Sequence, residues 1–328
     1  MQVLTKKLDG INQRLLAQLA DGRFHSGEEL GELLEMSRAS ISKRVGELRR
    51  LGLDVFSVKG KGYKLAQPIS LLDEQMLRLS LGDELWVWPE VTSTNDVVKS
   101  LEAPVNGAVV LAECQTAGRG RRGNHWVSPF AAHLYLSMFW RMDNRHGALQ
   151  GLSLVAGVAV ANAINKVWGR AITLKWPNDL YHHGRKLGGI LVELVGQANG
   201  PVDVVIGVGL NVAMPMGVAS TVGQPWVDLQ QIYGQSLDRN RLATLVISEL
   251  RQAMATFVES GLAPFVDDWN ALDDFRGRPV ILKNESTERV GVCRGIEADG
   301  ALLLDTGSDI ERIYGGELSL RSHENTAD

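Results

Sequence analysis

The stretch GRGRRG, from Gly118 to Gly123, constrains the fold more than any other segment, because it formally satisfies the dinucleotide-binding pattern G-x-G-x-x-G. That pattern identifies a Rossmann fold only when a strand leads into it and a helix follows it. Here the chain continues with NHWVSPF and LYLSMF, which are typical of a turn and a strand. The sequence therefore argues against a Rossmann fold, and the loop needs another explanation.

The same loop has the composition of an anion-binding segment. Glycine leaves backbone amides accessible, and arginine guanidinium groups bind phosphate and carboxylate oxygens. Because like charges repel and glycine has high conformational entropy, we expect the loop to be disordered when empty and to order around an anion. Trp126, just after it, would supply an apolar lid or a stacking face.

Length and cysteine content limit the class of protein. At 328 residues the chain exceeds what one hydrophobic core usually holds, which predicts two or three domains. Cys114 and Cys293 form no C-x-x-C pair, so neither a disulfide framework nor a zinc ribbon is indicated. The N-terminal stretch lacks the apolar core of a signal peptide, and LSLVAGVAVANAI is too short and polar to span a bilayer. We therefore expect a cytoplasmic protein with no membrane partner.

The formal net charge of −4 conceals a basic N-terminal module. Residues 1–65 contain 12 Lys and Arg against 8 Asp and Glu, so the rest of the chain carries a net charge of −8. Between Arg38 and Lys64, eight basic residues stand against only Glu47 and Asp54. This asymmetry predicts an anionic partner for the N-terminal module alone.

The N-terminal module has the pattern of a winged helix. Apolar residues recur at helical spacing in residues 8–20, a capping box of Ser26 and Glu29 opens a second helix, and a turn at Met36-Ser37 leads into a third. The stretch DVFSVKGKGYKL then alternates around a lysine-containing turn, as expected for a hairpin wing. The predicted DNA contacts are Ser37, Arg38, Ser40, Lys43 and Arg44 on the third helix and Lys59 and Lys61 on the wing. A solvated helical cap and a protein–protein contact module are the alternatives.

The central region contains a run of short polar residues at a helix start, Thr92 to Asp96, after a strand at Leu85–Trp88. One of these residues would suffice as an N-cap, and five together present hydroxyls, an amide and backbone N–H groups to a ligand. Plain capping and ligand contact are both open for this run.

Two further segments bear polar groups on strands. TLKWPNDLYHHGRKLGGILVEL predicts a β-hairpin that turns near His183-Gly184, with Lys175, Asp179 and Lys186 facing a common turn. An aspartate beside two lysines suits Mg²⁺ or nucleotide handling, although a salt-bridged hairpin is the simpler interpretation. We predict no metal site at His182-His183, because adjacent residues on a strand point to opposite faces. VDVVIGVGLNV predicts a buried strand ending at Asn211, which would cap or contact a ligand.

Five motifs, in this order, make the chain resemble the biotin protein ligases. They are STN at 93–95, QTAGRGRRG at 115–123, KWPND at 175–179, RKLGGILVE at 185–193 and GLN at 209–211. With the winged helix in front, the whole chain resembles the bifunctional bacterial form, which is both a biotin ligase and the biotin operon repressor.

The resemblance implies an α+β protein of three domains. It implies an N-terminal winged helix-turn-helix over residues 1–66 and a class II synthetase-like mixed sheet with helices over 67–272. Residues 273–328, where short strands alternate with turns, would form a small SH3-like β-barrel.

The resemblance also implies the chemistry. Biotin and ATP, with Mg²⁺, would form biotinoyl-5′-AMP, whose activated carboxyl would pass to a lysine of biotin carboxyl carrier protein. Lys186, Arg121 and Asp179 would act at the reacting centre. The implied biotin and adenylate contacts are Ser93, Thr94, Asn95, Gln115, Gly118, Arg119, Gly120, Arg121, Lys186, Gly188, Asn211 and Trp226. The adenylate would act as corepressor on operator DNA, and the protein would form a ligand-induced homodimer.

Two features of the sequence leave parts of this assignment open. Asn124 stands where the family commonly has a further arginine, so the pyrophosphate contacts are undefined. The segment 213–229, which includes Trp226, resembles the family's second ligand loop only weakly. The alternatives are a lipoate or octanoate ligase on the same scaffold, a biotin sensor without catalysis, and a ligase whose winged helix does not bind DNA.

Overall fold

The computed structural model describes residues 10–50, 52–142, 151–169, 171–195, 201–283, 288–314 and 319–322. The first module consists of helices α1 (Gly10–Leu19), α2 (Gly27–Leu34) and α3 (Arg38–Arg50) and strands β1 (Val55–Val58) and β2 (Gly62–Leu65). Ser26 accepts a hydrogen bond from the Glu29 amide and the Glu29 carboxylate accepts one from the Ser26 amide, so the predicted capping box is confirmed.

The module is a winged helix, as predicted. Ile41, Val45 and Leu48 of α3 are buried in its core, while the opposite face of α3 is largely exposed. β1 and β2 pair antiparallel with Val55 opposite Leu65, which leaves Lys59 and Lys61 exposed at the tip of the wing. The predicted apolar position Leu8 lies outside the described residues.

The central domain is built on a seven-stranded mixed sheet. Helix α4 (Glu74–Leu81) leads to strands β3 (Leu85–Trp88), β4 (Val109–Ala112), β5 (His133–Met142), β6 (Thr173–Lys175), β7 (Asp179–His182), β8 (Arg185–Val195) and β9 (Val202–Asn211). Their spatial order is β3-β4-β5-β9-β8-β7-β6, and only the β3–β4 pairing is parallel. Because β4 runs through the arginine–glycine loop into β5, the loop joins two antiparallel neighbours and no Rossmann unit forms.

Helices cover this sheet. They are α5 (Thr94–Lys99), the buried α6 (Leu152–Trp168), the short α7 (Met216–Ala219) and α8 (Leu229–Tyr233), the 22-residue α9 (Arg239–Ser260) and α10 (Val266–Leu272). The buried faces of α6 and α9 share one hydrophobic core with the sheet. The apolar stretch LSLVAGVAVANAI forms the first part of α6, whereas α9 was not identified from the sequence. Of the described helices, none has both the length and the apolar character needed to cross a membrane.

The prediction of a single hairpin for residues 173–194 was incomplete. The predicted reversal at His183-Gly184 is present, but a second reversal at Trp176–Asn178 separates β6 from β7. Proline has no amide hydrogen and fits poorly inside a ladder, so Pro177 ends β6. The prediction that His182 and His183 point to opposite faces was wrong, because their ring centroids lie 4.2 Å apart. His183 has left the strand and occupies the turn with φ of 47°.

The C-terminal strands form a five-stranded antiparallel sheet. These strands are β10 (Pro279–Lys283), β11 (Glu288–Ile296), β12 (Leu302–Asp305), β13 (Ile310–Ile313) and β14 (Ser319–Ser322), in the order β13-β12-β11-β10-β14. The α+β class is thus confirmed, while closure of this sheet into an SH3-like barrel and the boundaries at residues 66 and 272 stay predictions.

The segment that follows the winged helix is fastened to the central domain. Arg239, at the start of α9, forms a buried ion pair with Glu113 at 2.6 Å and donates to the Ser70 carbonyl at 2.9 Å. Glu113 in turn accepts from the Leu72 amide at 2.7 Å. Cys114 and Phe130 pack into the core of the winged helix. Both ends of the arginine–glycine loop therefore lie close to the N-terminal module.

Candidate functional site

The polar run at the start of α5 is hydrogen-bonded to the strand end that leads into the arginine–glycine loop. The amide and the hydroxyl of Thr94 both donate to Gln115 Oε1, at 2.9 and 3.2 Å. Ser137 Oγ lies 2.7 Å from Thr94 Oγ1 and 2.5 Å from Asn95 Oδ1. Ser93 occupies the N-cap position without a side-chain capping bond. Because these side chains are buried and directed at other elements, capping alone does not explain the run.

Sequence reasoning missed Ser137. It lies on β5 with 0% exposure, between the apolar residues Leu136 and Met138. A lone hydroxyl in the apolar segment LYLSMF was the available signal, since a buried hydroxyl requires a polar partner.

The arginine–glycine loop folds into a narrow hairpin. The Trp126 amide donates to Gly118 O at 2.9 Å, and the Gly120 amide donates to Asn124 O at 2.7 Å. A Cβ at Gly118 would lie 2.6 Å from Trp126 O, so this close approach requires glycine. At the tip, Arg122 has φ of 58°. The predicted ordering of the loop around an anion stays a prediction.

Arg119 is held by the protein itself. Its guanidinium donates two parallel hydrogen bonds to the Asp96 carboxylate, at 2.8 and 2.5 Å, and lies 3.8 Å from Glu193. The hydrogen bond from Arg119 lowers the pKa of Asp96, and the same bond raises the pKa of Arg119. The predicted contact of Arg119 with a ligand stays a prediction.

Lys186 lies at the centre of the site. Its Nζ is 2.8 Å from Asp179 Oδ1 and 5.8 Å from the centroid of the Trp126 ring. The Lys186 and Asp179 side chains are 17% and 16% exposed, so a ligand can reach the pair without bulk solvent surrounding it. Lys175, which we expected beside the same aspartate, lies opposite Asp179 in the β6–β7 pairing and donates to the Tyr181 hydroxyl at 3.1 Å.

Arg121 brings a second cation towards the same turn. Its Nη1 donates to Asn178 Oδ1 at 3.1 Å. Burial lowers the pKa of Arg121, and the neighbouring Arg122 lowers it further. Arg121 also lines a cavity of about 300 Å³ between the central and C-terminal domains, with Trp176, Ile190, Asp299 and others. An anion at this position would relieve the cost of burying the guanidinium.

Glycines form the floor of the site. A Cβ at Gly209 would lie 2.6 Å from the Trp126 ring, and a Cβ at Gly207 would collide with the Asn95 side chain. Gly188 lies opposite Leu210 in the β8–β9 pairing, and a Cβ at Gly188 would lie 2.7 Å from Gly209 O. Because these glycines have no side chain, the Trp126 indole and the Asn95 amide pack directly against the backbone of the sheet. Sequence reasoning missed Gly207 and Gly209, although the alternation IGVGLN contained them.

The second predicted ligand loop adjoins Lys186. The Lys186 amide donates to Pro225 O and the Val227 amide donates to Lys186 O, both at 3.0 Å. Asn211, which is buried, donates to Val227 O at 3.1 Å. The half-buried Trp226 is thereby placed next to the lysine, and its predicted contact with the adenylate stays a prediction.

The predicted DNA contacts lie on the exposed side of the winged helix. Arg38 and Lys43 are exposed on α3, while Arg44 forms an ion pair with Glu47 at 3.0 Å. The Ser37 and Ser40 hydroxyls are 2.9 Å apart. On the wing, Lys61 lies 5.8 Å from the centroid of the Phe24 ring.

The ranges that the structure describes contain no cluster of metal ligands. Within those ranges no three His, Cys, Asp or Glu side chains come together as ligands, and the nearest carboxylate to the reacting centre, Asp179, pairs with Lys186. These residues do not fit a protein-held metal ion, so none is built into the mechanism.

Comparisons with known proteins agree with this architecture. The Biotin/lipoate A/B protein ligase family matches residues 87–211, an HTH domain family matches residues 12–64, and the Biotin protein ligase C terminal domain matches residues 276–321. The bifunctional ligase/repressor BirA of Escherichia coli (strain K12) is 48% identical over 313 residues, which covers 95% of this chain and 97% of that protein. The Bacillus subtilis (strain 168) protein of the same name is 29% identical over 92% of this chain and 95% of its own length.

Solved structures give the same result. The biotin protein ligase from Aquifex aeolicus, in complex with biotin and ATP, aligns with a TM-score of 0.63 at 28% identity. The alignment covers 73% of this chain and 98% of the Aquifex chain. With its helix-turn-helix domain, its ligase domain and its C-terminal domain in the same order, the chain belongs to the bifunctional biotin protein ligase/repressor family.

Proposed function

We propose that the protein joins biotin and ATP into biotinoyl-5′-AMP and transfers the biotinoyl group to a lysine of biotin carboxyl carrier protein. The Lys186–Asp179 pair, enclosed by Trp126 and flanked by Arg121, is the observation that carries the proposal. Relatives named as biotin–[acetyl-CoA-carboxylase] ligases support this acceptor class.

The first step is a displacement at phosphorus. A biotin carboxylate oxygen forms a bond to the α-phosphorus of ATP while the bond to the leaving pyrophosphate breaks. Both reactants are anions, so cations at the reacting centre lower the barrier most. Lys186 would neutralise the carboxylate and the α-phosphate, and Arg121 would bind the phosphate side. Mg²⁺ would enter with ATP on the phosphate oxygens.

The second step is acyl transfer. The amine of the acceptor lysine attacks the biotinoyl carbonyl carbon, and AMP leaves with the electrons of the carbon–oxygen bond. Asp179 would orient Lys186 and the incoming amine. Neither step needs a nucleophile from the enzyme, in agreement with Cys114, whose thiol pKa is raised to about 12 by burial and by Glu90.

We further propose that the winged helix binds operator DNA of biotin synthesis genes when the adenylate is bound. The exposed Arg38 and Lys43 on α3 and the lysines at the wing tip suit contacts to phosphates and base edges. Two-fold operators suit a homodimer, which the adenylate would induce. ATP consumption and operator binding both agree with a cytoplasmic location.

ATP–pyrophosphate exchange tests the proposal. We expect exchange with biotin, none without an acid substrate, and none with lipoate. Exchange with lipoate would support the lipoate-type alternative, for which the breadth of the matched Biotin/lipoate family leaves room. No exchange with either acid, together with retained biotin binding, would support a sensor without catalysis.

A further inference from the structure

Asp96 and Arg119 fasten the arginine–glycine loop to α5. The two side chains form a bidentate ion pair, with N–O distances of 2.8 and 2.5 Å. Each side chain is 35% exposed, so the pair lies at the edge of the site. Bidentate geometry fixes the orientation of the guanidinium as well as its position.

The Asp96 side of this ion pair is held in place by further contacts. The next residue along the chain towards the N-terminus, Asn95, is buried and donates to Glu193 Oε2 at 2.5 Å. Glu193, on β8, also pairs with Lys99 at the end of α5, at 2.8 Å. Because α5 is held to the sheet on both sides of Asp96, the carboxylate is a fixed anchor rather than a mobile surface charge.

The Arg119 side of this ion pair belongs to the arginine–glycine loop, whose tip is not buried. From Arg121 to His125 the hairpin tip is half-buried or exposed, and Arg122 and Gly123 have left-handed φ values of 58° and 71°. Arg119 lies on the arm of the hairpin that carries this tip, opposite His125. A fixed charge at residue 119 therefore limits how far the tip can swing away from Lys186.

We propose that Asp96 is a positioning residue, which latches the arginine–glycine loop to α5 through Arg119 and so sets how long the bound adenylate is retained. The two arginines then have different tasks: Arg119 closes the latch, and Arg121 faces the ligand. The retention half of this inference rests on the proposed function, whereas the latch itself does not.

The test compares three variants of the full-length protein. Asp96→Asn keeps the shape and removes the charge, and the double variant Asp96→Arg with Arg119→Asp reverses the pair. The control is Asp203→Asn, which breaks the equally bidentate pair between Asp203 and Arg141, at 2.6 and 2.7 Å, at the end of the β5–β9 pairing that is remote from the loop. Thermal midpoints establish that all variants are folded.

The first readout is amide hydrogen exchange of residues 116–127 with saturating biotin, because we expect the empty loop to be disordered. We expect about fivefold faster exchange in Asp96→Asn, because an ion pair of this exposure contributes up to about 1 kcal/mol. The Asp203→Asn control should match the unaltered protein, and the reversed pair should restore slow exchange. Equal exchange rates in Asp96→Asn and the unaltered protein would overturn the latch.

The second readout is release of preformed biotinoyl-5′-AMP. We expect about fivefold faster release from Asp96→Asn and a higher half-saturating biotin concentration, with the maximal rate of pyrophosphate exchange unchanged because Lys186 stays in place. Faster amide exchange with unchanged release would overturn the claim about retention. If the unaltered protein forms no adenylate, the proposed function fails, and the amide exchange data still decide the latch.

Discussion

In the proposed mechanism Lys186 is the residue on which the chemistry depends, because its ammonium group would neutralise both the biotin carboxylate and the α-phosphate. We expect Lys186→Met to lower the rate of biotin-dependent pyrophosphate exchange by at least about 100-fold, as is typical when one charge-stabilising group is removed. Basal DNA binding should be unchanged. Lys166→Met removes the ammonium of the exposed pair with Glu249, at 2.6 Å, and serves as the control. A Lys186→Met protein with ordinary exchange would contradict the assignment.

Gly209 gives a test of packing at the residue scale. A Cβ there would lie 2.6 Å from the Trp126 ring, so Gly209→Ala should cost about 1–3 kcal/mol and weaken biotin binding. Gly46→Ala, in the middle of α3, meets no atom within 4 Å and should stabilise the protein by about 0.5–1 kcal/mol. Thermal midpoints and biotin titration measure both effects, and a neutral Gly209→Ala would show that the indole is free to move.

Single residues with an unusual local pattern were the part of the site that could be predicted from sequence. The three-residue STN motif, Gln115 and Lys186 were recognised, and the structure joins Thr94 to Gln115 and Lys186 to Asp179 by direct contacts. Glu193 and Ser137 were missed as site residues because their polar partners lie 98 and 42 residues away. Local periodicity contains no information about such pairings.

At the scale of elements, the position of the wing predicts that its lysines affect DNA binding without affecting catalysis. Lys59 and Lys61 are exposed at its tip, so replacing both with Ala should weaken operator binding and reduce the slope of log K against log salt by about 2. Pyrophosphate exchange should be unaffected. Fluorescence anisotropy at several salt concentrations provides the measurement, and an unchanged slope would mean that the wing does not contact phosphates.

Asp273, in the segment that joins α10 to β10, should make the stability of the protein depend on pH. Burial raises the pKa of Asp273 from 3.8 to about 6. A folded pKa above the unfolded value stabilises the protein at low pH, and this contribution is lost as pH rises through about 6. Relative to Asp273→Asn, the unaltered protein should gain about 1 kcal/mol between pH 7 and pH 5. Thermal midpoints of both proteins at the two pH values test this, and a constant difference would contradict it.

Elements with strong periodicity were predictable, and reversals were not. The winged helix, α6 and β9 follow from spacing and capping signals. The turn at Trp176–Asn178 was missed because KWPND carries lysine and aspartate that fit either a strand end or a turn. The closeness of His182 and His183 also escaped prediction, since it depends on the left-handed backbone of a single turn residue.

At the scale of the whole molecule, the Arg239–Glu113 pair joins the linker to the strand that enters the ligand loop. The two side chains are 2% and 7% exposed. Arg239→Met leaves the Glu113 carboxylate buried without its cation and should destabilise the protein by about 3–5 kcal/mol, whereas Arg239→Met with Glu113→Leu should recover most of this loss. Thermal midpoints of the unaltered protein, Arg239→Met and the double variant measure these differences. A double variant as unstable as Arg239→Met would show that the linker hydrogen bonds matter more than the charges.

The central claim is that this geometry activates biotin and transfers it to an acceptor lysine. The most direct measurement is the mass of a biotin carboxyl carrier domain incubated with the protein, ATP, Mg²⁺ and an equal mixture of biotin and lipoate. We expect one biotinoyl group on one lysine of the carrier domain, and no modification when Lys186→Met replaces the unaltered protein. A lipoyl adduct, or an unmodified carrier domain, would contradict it.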